Sequence, residues 1–155
     1  MEYPSDKNNY LIEHALLLSD SYQHFLSKQL LEGTNTTQEL AYQLFHASFA
    51  LVSHNIASEP VFNYANLKAL ELFELSWEEF TRLPSRLSAE PINQTERARL
   101  LAEVTKNGYI DHYEGVRISS TGKHFIIKNA VVWNLIDAEG NYKGQAASFG
   151  EWTFL

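Results

Sequence analysis

The stretch from Tyr109 to Trp152 constrains this chain more than any other part of it. Three runs rich in β-branched and aromatic residues, YIDHYEGVRIS, KHFIIKNAVVWNLID and YKGQAASFGEW, are separated only by the turn-rich segments STG and AEGN. Connections that short, carrying Gly and Asn for tight turns, predict three consecutive antiparallel strands in a meander. Two further strands are expected upstream. In HASFALVSH, Ala47, Phe49 and Leu51 alternate with Ser48, Ala50 and Val52, and VFNYA follows Glu59-Pro60, where proline biases its predecessor toward extended backbone.

The remaining segments read as helices. Leu11, Ala15, Leu18, Tyr22, Phe25 and Gln29 recur at helical spacing, flanked by Ile12, Leu16, Leu26 and Leu30, which predicts a helix from about Lys7 to Glu32 ended by Gly33. Thr36 and Glu39 form a capping box ahead of Leu40, Leu44 and Phe45; Ser76 and Glu79 form a second. Asn66 is expected to cap LKALELFEL. Asn93 is expected to cap a longer helix running through Lys106 to Gly108, after a loop LPSRLSAEP. Two helices, two strands, more helices and a three-stranded meander, without βαβ alternation at the end, make the fold class α+β.

Composition narrows the function. The 155 residues carry 12 Lys+Arg against 19 Asp+Glu, a net charge of −7 that opposes non-specific contact with phosphate backbones, so no direct nucleic-acid partner is expected. With Cys 0, disulfides, thiolate nucleophiles and cysteine-ligated metals are excluded. MEYPSDKNNY lacks the basic and apolar regions of a signal peptide, and no run is apolar enough for a membrane helix, so a cytoplasmic protein with no membrane partner is expected. The sequons at Asn35 and Asn93 are therefore accidental matches.

Catalytic signatures are absent from the string. There is no G-x-S-x-G, and Thr121-Gly122-Lys123 lacks the upstream glycine of a phosphate loop and reads as a hairpin turn. Glu71, Glu74, Glu78 and Glu79 read as helix-surface and helix-start residues. Among His14, His24, His46, His54, His112 and His124 no spacing matches a metal site, and none is expected. His54, at a strand end beside the loop HNIASE, is the best candidate for a pocket group. Asn134 and Gln145 fall on neighbouring strands, where paired amides can either bond the edge of a planar ring such as flavin or satisfy buried backbone groups. A cysteinyl-flavin adduct is impossible, and no motif selects haem. Arg117 can hold a ligand carboxylate or phosphate, or an ion pair across the sheet. Trp133 is core or pocket wall.

Glu59-Pro60-Val61-Phe62-Asn63-Tyr64-Ala65-Asn66 with LKALELFELSWEEF resembles a PAS domain, and LPSRLSAEP, YEGVRISSTGK, AVVWNLID and YKGQAASFGEW together resemble the MEKHLA domain, of the free-standing bacterial type. That resemblance implies a five-stranded antiparallel sheet with helices on one face and an N-terminal helical extension, with a possible small-molecule pocket between sheet and helices. It implies no DNA-binding role, since the 155 residues hold neither a homeodomain nor a leucine zipper.

The expectation is thus an extension over residues 1–36 and a PAS-like domain over 37–155. It would act as a non-catalytic sensory or interaction module that binds a small ligand, a protein partner or both, with no cofactor specified. The ligand group is expected from Asn134, Gln145, Arg117, Trp133 and His54. The alternatives are a small enzyme using His54 or His112 as base, or a structural dimerisation domain. The wide apolar stripe of the first helix points to a homodimer; the competing reading folds that helix back over its own sheet.

Overall fold

The computed structural model describes residues 1–155, with the side chains of Pro91 and Ile92 outside the described set. Five helices, α1 (Ile12–Leu26), α2 (Thr37–Phe45), α3 (Leu67–Phe73), α4 (Trp77–Phe80) and α5 (Pro91–Asn107), accompany one antiparallel sheet. Its strands are β1 (Ala50–His54), β2 (Phe62–Ala65), β3 (Tyr109–Ile118), β4 (His124–Ile136), β5 (Tyr142–Phe149) and β6 (Glu151–Phe154). Their order is β2-β1-β5-β4-β3, and β6 pairs with the first half of β4. The meander forms where the turn residues lie, with the Ser119 N–H donating to Lys123 O and the Asp137 N–H to Asn141 O. The expected fifth strand is two: a break at Gly150 makes the sheet six-stranded, and Trp152 pairs with Ile127 instead of continuing beside β1.

Helices cover both faces: α5 lies on one, and the first helix, expected as an N-terminal extension, lies on the other. Trp133 and Asn134 are consecutive in β4 and so point to opposite sides. The Trp133 indole N–H donates to Leu18 O of α1 at 3.2 Å, whereas the Asn134 amide donates to Thr105 O of α5 at 3.3 Å. The first helix therefore folds back over its own sheet, as the competing reading had it. Ala15 and Leu18 are 1% and 0% exposed, so the stripe offered as a dimer face is used within the chain.

That helix is also shorter than its period suggested. Ser5 and Asn8 cap a 3-10 turn at Asp6–Asn8, and Asn9, Tyr10 and Leu11 follow with φ of 52°, 54° and 54°, so α1 starts only at Ile12. Ser27, at φ 58°, ends it by donating its N–H to Gln23 O; Leu30 and Leu31 reach the core from an irregular segment. Helical spacing alone does not distinguish residues buried by a helix from residues buried beyond its end.

Local caps match the sequence more closely. The Ser76 hydroxyl accepts from Glu79 N and Glu79 Oε1 from Ser76 N; Thr36 accepts from Glu39 N, but Glu39 reaches back to Asn35 N. Asn66 caps α3 and does more: Oδ1 accepts from Ala69 N and Leu51 N, while Nδ2 donates to Leu44 O and Phe49 O. Asn93 is not a cap, since α5 begins at Pro91 after Glu90, and the expected loop before it holds a 3-10 turn at Ser85–Ser88. Gly108 does end α5. Its φ of +99° and its bond to Val104 O suit glycine, and a Cβ there would stand 2.6 Å from the Phe25 ring of α1.

Candidate functional site

The site grows from one line of register across the sheet. His54 of β1 lies opposite Gln145 of β5, which lies opposite Asn134 of β4, so all three side chains share the face covered by α5. Gly144 permits this approach. Its φ is +128°, and a Cβ there would collide with the His54 carbonyl, so the β1–β5 spacing beside Gln145 depends on a residue without one.

Asn134 and Gln145 are occupied with the helix. The two protons of the Gln145 amide nitrogen are shared among Leu101 O at 3.0 Å, Thr105 Oγ1 at 2.9 Å and Asn134 Oδ1 at 3.1 Å. Both amides thereby satisfy carbonyls of α5 and pin it to the sheet, closing one end of a cavity of about 50 Å³. His54, Gln145 and Arg117 line that cavity, joined by Arg97 and Leu100 of α5, Tyr113 of β3, Phe73 of α3, Ser88, Ile127 and Phe149.

The polar groups around it are incompletely partnered. His54 is 6% exposed; its Nδ1–H donates to Asn55 O at 3.0 Å, which leaves Nε2 as an acceptor, buried without a hydrogen-bond partner. Burial holds the imidazole pKa below its ordinary value; the bond to Asn55 O opposes this, the Arg97 charge lowers it further, and the neighbouring Gln145 side chain, which lies outside hydrogen-bond geometry to Nε2, raises it slightly. Arg117 is 8% exposed and donates to Val116 O at 2.9 Å and to Tyr113 Oη at 3.3 Å, its guanidinium 5.5 Å from the Tyr113 ring centre. Arg97 is equally buried, and burial, then the repulsion of Arg117, push its pKa down to about 10. Among the described residues no carboxylate stands within 4.0 Å of either guanidinium. The expected ion pair across the sheet for Arg117 is thus not formed. Glu96, exposed on α5, reaches only the Tyr113 hydroxyl, at 3.3 Å.

Two expected residues lie elsewhere. Trp133 faces α1, with its ring edge-on to Tyr22 at 4.9 Å, because strand alternation turns it away from Asn134. His112 is at a bulge of β3, φ 54°, with its side chain 80% exposed beside Asp111, so it cannot serve as a base in the cavity. Arg97, Tyr113 and Ser88 were missed. A signal for Arg97 was present: it stands three, four and seven residues before Leu100, Leu101 and Val104, on the apolar stripe of its helix.

An antiparallel sheet with short helices and one long helix laid across it, enclosing a cavity, defines a PAS-class fold. Known structures agree. The chain is similar to the PAS domain of a protein from Colwellia psychrerythraea (14% identity, 74% of this chain and 92% of that one, TM-score 0.60). It is also similar to an RNA-binding light-oxygen-voltage receptor (15% identity, 79% and 35%, TM-score 0.61). The profile of the MEKHLA domain matches residues 12–154, and the chain belongs to that family. Curated relatives include the homeobox-leucine zipper proteins HOX10 of Oryza sativa subsp. indica, 26% identical over 91% of this chain, and REVOLUTA of Arabidopsis thaliana, 22% identical over 91%. The chain spans 17% and 18% of their respective lengths.

Flavin is the cofactor this fold class brings forward, since a flavin analogue has been studied in a similar light-oxygen-voltage domain (16% identity, 75% and 84% covered, TM-score 0.60). The residues present do not fit it. The cavity of about 50 Å³ is far below the roughly 300 to 1,000 Å³ of sites for drug-sized ligands, and the amides that would meet a ring edge are bonded to α5. Among the described residues no helix is long and apolar enough to cross a membrane.

Proposed function

We propose that this chain is a non-catalytic sensory module in which a small ligand, held between the sheet and α5, alters the surface offered to a protein partner. The buried His54 Nε2, an acceptor without a partner on the cavity wall, is the observation that supports it. A buried polar atom costs about 1–3 kcal/mol when unpartnered, and a ligand or an ordered water inside the cavity would recover that. Because α5 also carries Leu101 O and Thr105, which are bonded to the sheet through Gln145, a molecule wedged at His54 would move the helix relative to β5.

The test is a thermal-shift screen of the purified chain against small acids, amides, alcohols and amines at millimolar concentration. It is followed by sedimentation velocity with and without any compound that stabilises. Saturable stabilisation that His54→Phe abolishes supports the reading. A flat screen, with native and denatured masses identical, overturns it in favour of a structural module. Self-association is measured in the same sedimentation runs, and a ligand-dependent change in mass would make a second copy the partner.

A further inference from the structure

We infer that the cavity is a binding site for a small organic carboxylate, clamped by Arg97 and Arg117; this rests on the ligand-binding reading above. The argument starts from charge. Two arginines, each 8% exposed as a whole residue, line one cavity from α5 and β3, and among the described residues neither meets a carboxylate within 4.0 Å. Ionised side chains are seldom buried unless paired, because the desolvation penalty amounts to several kcal/mol per ion. In a chain of net charge −7 the acidic group that reaches this cluster is Glu96, exposed on α5, and it does so only at one remove: its carboxylate accepts from the Tyr113 hydroxyl, which accepts from Arg117. What the pair lacks is a directly bonded carboxylate, and that is the group a ligand would bring.

Its shape follows from the walls. Phe73, Leu100, Ile127 and Phe149 surround the two arginines with apolar surface, which suits a compact hydrocarbon body better than the hydrated tetrahedron of phosphate. The volume of about 50 Å³ suits a body of a few carbon atoms. A carboxylate also matches the planar fork of arginine, which can bond both its oxygens at once. Arg117 is held in place, since its Nη1 and Nη2 donate to Val116 O and Tyr113 Oη and its guanidinium carbon lies 5.5 Å from the Tyr113 ring centre, and each Nη keeps a second proton for a ligand.

The experiment compares acids with their neutral isosteres. Butyrate and benzoate, butyramide and benzamide, and inorganic phosphate are titrated into the wild-type chain by calorimetry at pH 7. The same titrations are run on Arg97→Met, Arg97→Lys and Arg117→Met. The expected result is that at least one carboxylate binds, that its amide binds at least about tenfold more weakly, and that either Met variant loses at least about tenfold in affinity. Arg97→Lys should recover part of that loss. If acid and amide bind equally, the anion assignment fails while the ligand cavity stands. If phosphate binds and the carboxylates do not, the carboxylate class is wrong. If no compound binds and the Met variants melt well below wild type, the arginines are structural and both readings fall. A variant that does not fold is replaced by the Lys variant, whose retained charge keeps the comparison valid.

Discussion

The two faces of the sheet are built to different standards. Against α1, polar groups find partners: the Trp133 indole bonds Leu18 O, the Ser21 hydroxyl donates to Ile136 O while accepting from Ile136 N, and Ser53 bridges His14 and Asn63. Only the Tyr64 hydroxyl is buried there without a partner among the described residues. Against α5, a cavity is left, the His54 Nε2 has no partner and two arginines share a pocket without a counter-charge. Each face holds one buried polar atom without a partner, but only the α5 face adds a cavity and two buried arginines with no direct carboxylate.

Substitutions on the two sides should therefore behave unlike each other. Trp133→Ala removes a fully buried side chain together with its bond to Leu18 O, and should cost ~3–5 kcal/mol in a urea titration. A loss below about 1 kcal/mol would mean that the α1 face is not the structural one. Gly108→Ala is next, at ~1–2 kcal/mol, because alanine is strained at φ +99° and its Cβ meets Phe25. An unchanged melting temperature would remove the role of this glycine at the junction of α5 with α1.

The pH responses also differ between the faces. His14 stacks on Tyr64 and bonds Ser53, whose own proton is directed at Asn63, so the imidazole donates through Nε2. Burial, and secondarily the N-terminal charge, push its pKa from 6.5 down to about 4. Between those values the unfolded chain binds a proton that the folded chain refuses, so this contribution is full above pH 6.5 and is lost as pH falls toward 4. His14→Gln should flatten the melting temperature over that window.

Glu74 behaves as a carboxylate should. Bonds from Thr121, Lys123 and Ser119 of the β3–β4 turn hold its pKa at about 2 instead of 4.5. Its contribution is present above pH 4.5 and lost as pH falls toward 2, a smaller effect because the group is partly exposed. Glu74→Gln should lower the melting temperature at pH 7 and leave the two variants alike near pH 2. The smallest change is expected for Arg97→Met, which replaces a desolvated charge by a flexible apolar side chain. Its stability should fall within ~1 kcal/mol of wild type or rise. A loss as large as that of Trp133→Ala would abolish the contrast between the faces.

What the sequence determined by itself was local. The meander, the caps at Thr36, Asn66 and Ser76, and the stop at Gly108 were legible because each depends on a few neighbouring residues and on backbone rules that hold in any context. The start of α1 was not, because Ser5 nucleates a competing turn and Tyr10 and Leu11 adopt positive φ, which apolar spacing does not reveal. The candidate site divided the same way. His54, Arg117, Asn134 and Gln145 were legible as polar residues among strand hydrophobics, but only register turned Trp133 to the far face, put His112 in solvent and brought Arg97 from another element to the same cavity. Which side chains meet across a sheet and a helix is settled by long-range packing. A string of residues records the period of a helix or strand, but not the face that the rest of the chain will cover.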